Sequence, residues 1–419
     1  MKYAFTPNPD KIKQIAGIQA SLNPVEIATP KNAKEEKEHW LIAAKIGNYP
    51  NPSFVYDEER LRTVSGYSTL LSTARYQIET GMIPENEIDR IIKKILLSRF
   101  DNDSLATTEL ASSILLHDDL TSCALNHQIY GHPSNSQVIR AYSIVKQDAP
   151  VIARQSRFTK KDQKKLEKMT FIDEQIAYWF EEAIALYGFK GWTVEVGNQY
   201  TAIDVRDKSS AGKPVVGIPT GRKVNGLKLL ELIGHEIECH LRGSENCKAL
   251  VMQIIGENSP LLPFVPILAK SDNELFYEGV AKVSDVSING NAGMPKPYAT
   301  IACDCARRGS SFSETAKFIE RCRLEMGEKD EDARKGAWTT TYRIMRGCTN
   351  TAVGGYNFSK DYIYMSGYDL ACQINENLHN FSSMTIDELN ALQAVLLNLV
   401  PAYPHLDAVG WVKGRLLSE

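Results

Sequence analysis

The segment from Asn225 to Gly243, NGLKLLELIGHEIECHLRG, constrains the fold of this chain more than any other. Apolar residues at spacings of three and four form a stripe along one side of a helix. They are Leu230, Ile233, Ile237 and Leu241. A helix with such a stripe packs that side against a core. The same helix carries His235, Glu236 and His240, so ionisable side chains are held beside a buried surface.

The spacing of the two histidines does not suit a regular helix. His235 and His240 are five positions apart, which separates their side chains by about 140° around an ideal α-helix. A regular α-helix would therefore not point both imidazoles at one ion. A one-residue π-bulge between them would bring them together, and such bulges gather at functional sites. If both histidines are ligands, we expect the helix to be irregular between them.

These side chains match the chemistry of a zinc hydrolase. Such a site needs neutral imidazoles on the metal, an open coordination position for water and a carboxylate that takes a proton from that water. His235, His240 and Glu236 are of these types. Two alternatives stay open. Cys239 could replace His240 in a His-x-x-Glu-Cys arrangement, or the two histidines could share a helix by chance.

A second helical pattern, SDNELFYEGVAKVSDV (271–286), follows and opens with a capping box from Ser271 to Glu274. Glu278 lies among apolar residues in the middle of this pattern. A lone carboxylate there is costly to desolvate unless it is paired or binds a cation. Glu278 is therefore a candidate metal ligand, with a surface-facing side chain as the alternative. Gly279 beside it would let another helix approach closely.

Three short runs before the histidine helix are rich in β-branched residues. They are WTVEV (192–196), TAIDV (201–205) and PVVGIPT (214–220). Because β-branched residues favour strands, these runs predict a small sheet. Upstream of them, apolar residues at helical spacing predict a helix that starts near Thr170 and Asp173 and ends at Gly188.

The first 150 or so residues show helical patterns broken by Pro and Asn clusters. The clearest, PENEIDRIIKKILLSRF (84–100), places four isoleucines on one side of a helix. The sequence as a whole predicts an α+β fold. We expect residues 1–165 to form a mainly helical N-terminal region. Residues 166–419 would form a second domain, in which the small sheet packs on the histidine helix and the C-terminal part is helical.

The composition excludes several classes of partner. The 419 residues include 43% hydrophobic residues and carry a net charge of −3, which argues against nucleic acid or an anionic membrane as the main partner. The chain shows no apolar core of a signal peptide and no long uncharged apolar stretch. Its eight cysteines include no CxxC pair, so we expect reduced thiols. These features predict a cytoplasmic protein and leave its oligomeric state open.

The two helical segments together resemble the QEGLA-motif zincins, the family that includes the microtubule-associated tyrosine carboxypeptidases. The family signature is His-Glu-x-x-x-His followed by a Gln-Glu-Gly-Leu-Ala helix. Here the first reads HEIECH (235–240) and the second YEGVA (277–281), with Tyr277 and Val280 at the positions that differ. The segments YRIMRG (342–347) and FSKDYIYMSG (358–367) are similar to the C-terminal part of the family. The resemblance covers residues 190–370 well and about 40–400 loosely.

The resemblance implies a zincin-like metallopeptidase domain that binds one zinc ion per chain. His235, His240 and Glu278 would be the ligands and Glu236 the catalytic acid and base, which leaves Cys239 a bystander. The leading specific function is a carboxypeptidase that removes a tyrosine-like C-terminal residue from a peptide or protein tail. The alternatives are an endopeptidase or other amide hydrolase at the same zinc, and a catalytically silent protein that binds a tail.

Such a reaction needs two further kinds of side chain. A donor must stabilise the oxyanion of the tetrahedral intermediate, and Tyr364 is the first candidate, with Tyr356 second. A terminal carboxylate is held best by the fork of an arginine, for which Arg346 is the first candidate. Lys360 and Arg242 are the other substrate-binding candidates. The alternatives are that the tyrosines pack in the core and that the cations pair with structural carboxylates.

Overall fold

The computed structural model describes residues 28–59, 132–148, 155–200, 202–206, 214–255, 274–348, 350–354, 358–374 and 402–418. Most elements in these ranges are helices. In chain order the α-helices are α1 (Ala33–Lys45), α2 (Asn135–Val145), α3 (Lys160–Lys168), α4 (Asp173–Tyr187), α5 (Gly226–Leu232), α6 (Arg242–Ile255), α7 (Glu274–Asn289), α8 (Tyr298–Arg307), α9 (Phe312–Glu325), α10 (Asp330–Met345), α11 (Ile363–Ile374) and α12 (Ala408–Ser418). A π-helix, Ile233–Leu241, joins α5 to α6, and two 3₁₀ turns span Gly290–Gly293 and Ser359–Tyr362.

The described residues also include five short strands, which form two small sheets. They are β1 (Thr170–Ile172), β2 (Thr193–Gly197), β3 (Asp204–Arg206), β4 (Val215–Pro219) and β5 (Lys223–Asn225). β1 pairs with β5 in an antiparallel ladder. In the other sheet β4 lies in the centre, parallel to β2 and antiparallel to β3. The three predicted runs therefore overlap β2, β3 and β4, and the mixed helical and small-sheet fold class is confirmed.

The described residues belong to two compact units, each built from two stretches of the chain. The first unit combines Met1–Val151 with Lys296–Met365, and the second combines Ile152–Pro295 with Ser366–Glu419. The sequence-based division instead placed a single boundary between residues 165 and 166. Each unit is defined by contacts between segments that are distant in the chain. A single boundary in the sequence therefore does not separate the two units.

The first unit has an aromatic core. Trp40 of α1 lies with its ring centroid 6.3 Å from that of Phe312 and 5.5 Å from that of Trp338. These two rings belong to α9 and α10 and are themselves 4.9 Å apart. Such tilted and edge-on contacts add specific attraction to the burial of large apolar surfaces, so they join α1 to the α9 and α10 pair. The helix predicted at 84–100 lies outside the described residues.

The core of the second unit contains the histidine-bearing segment. All four residues of the predicted stripe are fully buried there, together with Phe180 of α4 and Val409 of α12. This burial confirms that one side of the segment faces a core. β3, an edge strand of the three-stranded sheet, lies near the π-helix.

The start of α4 differs from the predicted start. Thr170 and the next two residues are extended and pair with β5, and the helix begins at Asp173. The strand uses the backbone groups of these residues for its ladder, so they cannot form the first helical turn. The helix ends at Gly188 as predicted, where the backbone is left-handed with a φ of 69°.

α7 packs closely on α11 within the second unit. Val283 and Val286 of α7 form a buried cluster with Tyr368 and Ala371 of α11. At Gly279 the two helices approach so closely that an added Cβ would overlap the Gly367 carbonyl. The predicted close helix approach at Gly279 is thus confirmed, and it sets the position of the neighbouring Glu278.

None of the helices in the described ranges is long and apolar enough to cross a membrane. Five cysteines are buried free thiols, namely Cys239, Cys303, Cys305, Cys322 and Cys348, and Cys372 is a half-buried one.

We expect Gly279→Ala to destabilise the second unit by about 1–3 kcal/mol. The new methyl group would overlap the backbone of Gly367, and moving that backbone would disturb the packing of α11. The matched control is Gly414→Ala on α12, where an added Cβ meets nothing within 4 Å. That change should be neutral or stabilise the protein by about 0.4–1 kcal/mol. Urea unfolding of both variants measures the difference, and equal midpoints would contradict the close packing at Gly279.

Candidate metal centre

The π-helix brings the two histidines of the HEIECH segment together. It covers nine residues, Ile233–Leu241, where the sequence predicted a single-residue bulge. In a π-helix the hydrogen bonds join residues five apart, so positions 235 and 240 face the same side. The two imidazole ring centroids are 5.0 Å apart. The predicted irregularity is confirmed, and it is longer than expected.

Packing on both sides holds the π-helix in place. The residue before His235 is Gly234, which is buried. An added Cβ at Gly234 would overlap Ser284 Oγ of α7 and would lie 3.2 Å from Val409 Cγ2 of α12. Two helices from different parts of the second unit therefore contact the backbone of the π-helix directly beside the first histidine.

Glu278 of α7 lies opposite both histidines. Its Oε2 is 3.6 Å from His235 Nε2 and 3.7 Å from His240 Nε2. One ligand atom from each residue lies within 4.8 Å of the others, and no other group of this kind occurs among the described residues. Two imidazoles and one carboxylate match the three-ligand sites in which zinc keeps an open position. The geometry thus unites the three predicted ligands.

The Glu278 carboxylate provides a test of whether a cation fits this site. Its Oε2 atom is buried and accepts no hydrogen bond from the residues that the structure describes. The two imidazole nitrogens at 3.6 and 3.7 Å are too distant for hydrogen bonds, so a cation bound between them would supply the missing partner of this atom. The side chains of His235, His240 and Glu278 are 17%, 24% and 13% exposed, so an ion can reach the site from solvent.

The charges around His235 favour a positive charge at this site. Burial opposes protonation of His235, but the carboxylates of Asp285 and Glu278 beside its two ring nitrogens, together with the charge of Glu236, raise its pKa to about 10. Burial likewise opposes ionisation of Glu278, but the two histidines hold the pKa of that carboxyl well below its ordinary range. Protons and metal ions compete for the same imidazole nitrogens, so the acidic surroundings also favour a metal cation.

Glu236 is placed beside the ligands on the same π-helix. Burial raises the pKa of its carboxyl, while the neighbouring His235 and His240 oppose that shift. A carboxylate with a raised pKa accepts a proton more readily than one in water. The position and environment of Glu236 therefore suit the predicted proton-transfer role.

Asp285 is a residue of this site that the sequence analysis missed. Its Oδ1 is 3.3 Å from His235 Nδ1, and its Oδ2 accepts a hydrogen bond from Lys282 Nζ at 2.6 Å. A carboxylate in this position fixes the orientation of a ligand imidazole and directs its other nitrogen at the metal. Asp285 lies seven residues after Glu278, on the same side of α7, and that spacing was the available signal in the sequence.

Cys239 does not join this group of ligand atoms. The side chain is buried, and burial raises the pKa of its thiol well above the ordinary value. Because the thiolate is the form that binds metals, a neutral buried thiol is a poor ligand. This geometry supports His240 over Cys239 as the second ligand from the helix.

Arg242 belongs to the second unit, where it is buried. Its Nε donates a hydrogen bond to the Glu238 carbonyl at 2.8 Å, so it closes the last turn of the π-helix. The partner is a backbone carbonyl, whereas the alternative kept open from the sequence was pairing of the arginines with structural carboxylates. Its predicted role in substrate binding stays a prediction.

The remaining site candidates lie in the first unit. Arg346 is buried, with its guanidinium 4.5 Å from the centre of the Phe358 ring. Lys360 is half-buried in a 3₁₀ turn, and the half-buried Tyr364 interacts with Arg343. Their roles as substrate-binding and oxyanion-stabilising residues stay predictions. Tyr356 lies outside the described residues.

The chain was compared with known proteins. No protein-family model matches it, and no curated protein does. The site must therefore be interpreted from its own geometry.

We expect Asp285→Asn to weaken zinc binding by about 10–100-fold, because the variant loses the charge that supports His235. The matched control is Asp162→Asn, since Asp162 pairs with Lys413 on the surface of the same unit. Competition with a chelating dye measures both affinities, and circular dichroism checks the fold. Equal zinc affinities in the two variants would contradict the role of Asp285.

Proposed function

We propose that this protein is a zinc-dependent metallopeptidase of the QEGLA-motif zincin type. His235, His240 and Glu278 would bind one zinc ion per chain, and Glu236 would act as the catalytic acid and base. The observation that carries the proposal is the π-helix, because it turns two histidines five positions apart toward a glutamate from another helix. π-helices are rare in proteins, and those that occur are often found at functional sites.

The ligand types support zinc as the metal. Neutral imidazoles and a carboxylate suit a divalent ion of intermediate softness, and three protein ligands leave a position open. Related sets of ligands also bind manganese, cobalt or iron, so the metal content has to be measured. A bound zinc ion supplies Lewis acidity and lowers the pKa of water at its open position to about 7.

Glu236 would carry the proton through the reaction. Its carboxylate takes a proton from the attacking water as the water oxygen bonds to the substrate carbonyl carbon. The same carboxyl then gives that proton to the amide nitrogen, the carbon–nitrogen bond breaks, and an amine and a carboxylic acid leave. Burial raises the pKa of Glu236, which favours the first transfer.

The specific form that we propose is a carboxypeptidase acting on a protein tail that ends in a tyrosine-like residue. This part of the proposal rests on the resemblance of four segments of the sequence to the family. Endopeptidase or other amide hydrolysis would use the same zinc and the same Glu236. A protein that only binds a tail would not need Glu236 as a base.

Metal analysis tests the site itself. We expect about one zinc per chain in the wild type and in Cys239→Ala, and loss of zinc in His235→Ala, His240→Ala and Glu278→Gln, because only the last three remove atoms of the ligand group. Elemental mass spectrometry of the purified proteins measures the content. Loss of zinc in Cys239→Ala, together with retention of zinc in His240→Ala, would overturn the ligand assignment. Wild type without metal after zinc reconstitution would overturn the proposed function.

Replacing the proposed base tests catalysis separately from binding. We expect Glu236→Gln to keep its zinc and to hydrolyse C-terminal peptides about 10²–10⁴-fold more slowly, because an amide cannot accept the proton. A panel of peptides that differ in their last residue, analysed by mass spectrometry, measures both the rate and the specificity. Zinc-loaded wild type that cleaves no peptide of the panel, but binds tails as tightly as Glu236→Gln does, would favour the tail-binding alternative.

A further inference from the structure

Glu238 is a buried carboxylate on the π-helix that the proposed reaction does not use. It lies between the two histidines in sequence and is only 4% exposed. Its Oε2 is 3.1 Å from His405 Nε2, and its Oε1 accepts a hydrogen bond from the Val409 N–H at 3.0 Å. The carboxylate is therefore held from two sides.

Both partners of Glu238 come from residues 402–418, which we call the C-terminal clamp. The clamp continues along α6, where Asn246 forms two hydrogen bonds with the backbone of Tyr403, at 2.7 and 3.1 Å. The Leu406 N–H donates to the Tyr187 hydroxyl of α4 at 3.2 Å. Contacts with two helices and the π-helix thus fix the path of the clamp.

The start of α12 is built around Glu238. Asp407 has a φ of 50°, a left-handed conformation that costs an L-residue of this type free energy. Its Oδ1 accepts hydrogen bonds from the Gly410 N–H at 3.0 Å and from Arg157 at 2.9 Å. The Val409 N–H is thereby left to the Glu238 carboxylate, which lies where the positive end of the helix dipole favours an anion.

The clamp also contacts the backbone beside the first ligand. Val409 donates its N–H to Glu238, and its side chain closes on Gly234, the residue before His235. The clamp therefore touches the π-helix on both sides of the first histidine. Return of this segment to regular α-geometry would separate His235 and His240 by about 140° and would also turn Glu238 relative to them.

We propose that Glu238 is a positioning residue of the metal centre, and that the C-terminal clamp holds it so that the π-helix keeps both histidines directed at Glu278. This inference rests on the proposed function and adds to it a structural device behind the ligands. Glu238 acts through the backbone of the π-helix and is not itself a ligand or a catalytic residue.

The test compares zinc affinity in variants of the full chain. We expect Glu238→Gln to bind zinc about 10–100-fold more weakly than wild type, the range typical of residues that orient metal ligands. His405→Gln, which keeps a hydrogen-bond donor and disturbs the core less, should show a smaller loss in the same direction. The visible absorption of the cobalt-loaded proteins should change in both variants, because it reports ligand geometry.

The matched control is Glu182→Gln. It breaks the ion pair between Glu182 of α4 and Arg415 of α12, which holds the same clamp without touching the π-helix. We expect this control to keep wild-type zinc affinity and the wild-type cobalt spectrum, even where its unfolding midpoint falls. Affinities are measured well below the unfolding temperature of each protein. If Glu238→Gln does not fold, the zinc affinity and cobalt spectrum of His405→Gln decide the test.

Two results would overturn the inference while leaving the proposed function intact. The first is wild-type zinc affinity and an unchanged cobalt spectrum in the folded Glu238 and His405 variants. The second is an equal loss of affinity in Glu182→Gln, since that would reflect general loosening of the clamp. Failure of the wild type to bind zinc overturns the proposed function instead, so the two failures are distinguishable.

Discussion

The candidate site depends on one departure from regular helical geometry. His235 and His240 stand five positions apart, and only the π-helical hydrogen-bonding pattern turns both toward Glu278. Because this pattern is rarer than the α-helical one, surrounding contacts have to sustain it. They come from α7 and α12, which approach the backbone at Gly234, and from the buried stripe on the core side. The geometry of the site therefore depends on the packing of the second unit.

Charge explains why these side chains are placed together. Glu278 and Asp285 approach His235 from its two ring nitrogens, and Glu236 adds a third carboxyl nearby. Three carboxyl groups, one buried and two partly buried, are costly to dehydrate beside two imidazoles unless positive charge lies among them. Lys282 supplies part of it at Asp285, and the neighbouring carboxyl groups raise the pKa of His235. The metal ion that we propose would supply the rest.

Much of this arrangement is predictable from local patterns. The three runs rich in β-branched residues located β2, β3 and β4, and the apolar stripe identified the buried side of the histidine segment. The i, i+5 spacing predicted an irregular helix, and the apolar setting of Glu278 marked it as a candidate ligand. The start of α4 was predicted too early, because pairing of Thr170 with Asn225 depends on a segment more than fifty residues away.

The sequence by itself determined which residues are chemically able to bind a metal, since residue type and helical spacing are local properties. Only the tertiary structure decided that Glu278 meets both histidines, that Asp285 supports His235, and that His405 and Val409 hold Glu238. Each of these contacts joins residues from about forty to more than one hundred and seventy positions apart. Their formation depends on how whole helices pack, and close packing at Gly234 and Gly279 sets those positions. Local periodicity carries no information about such distances.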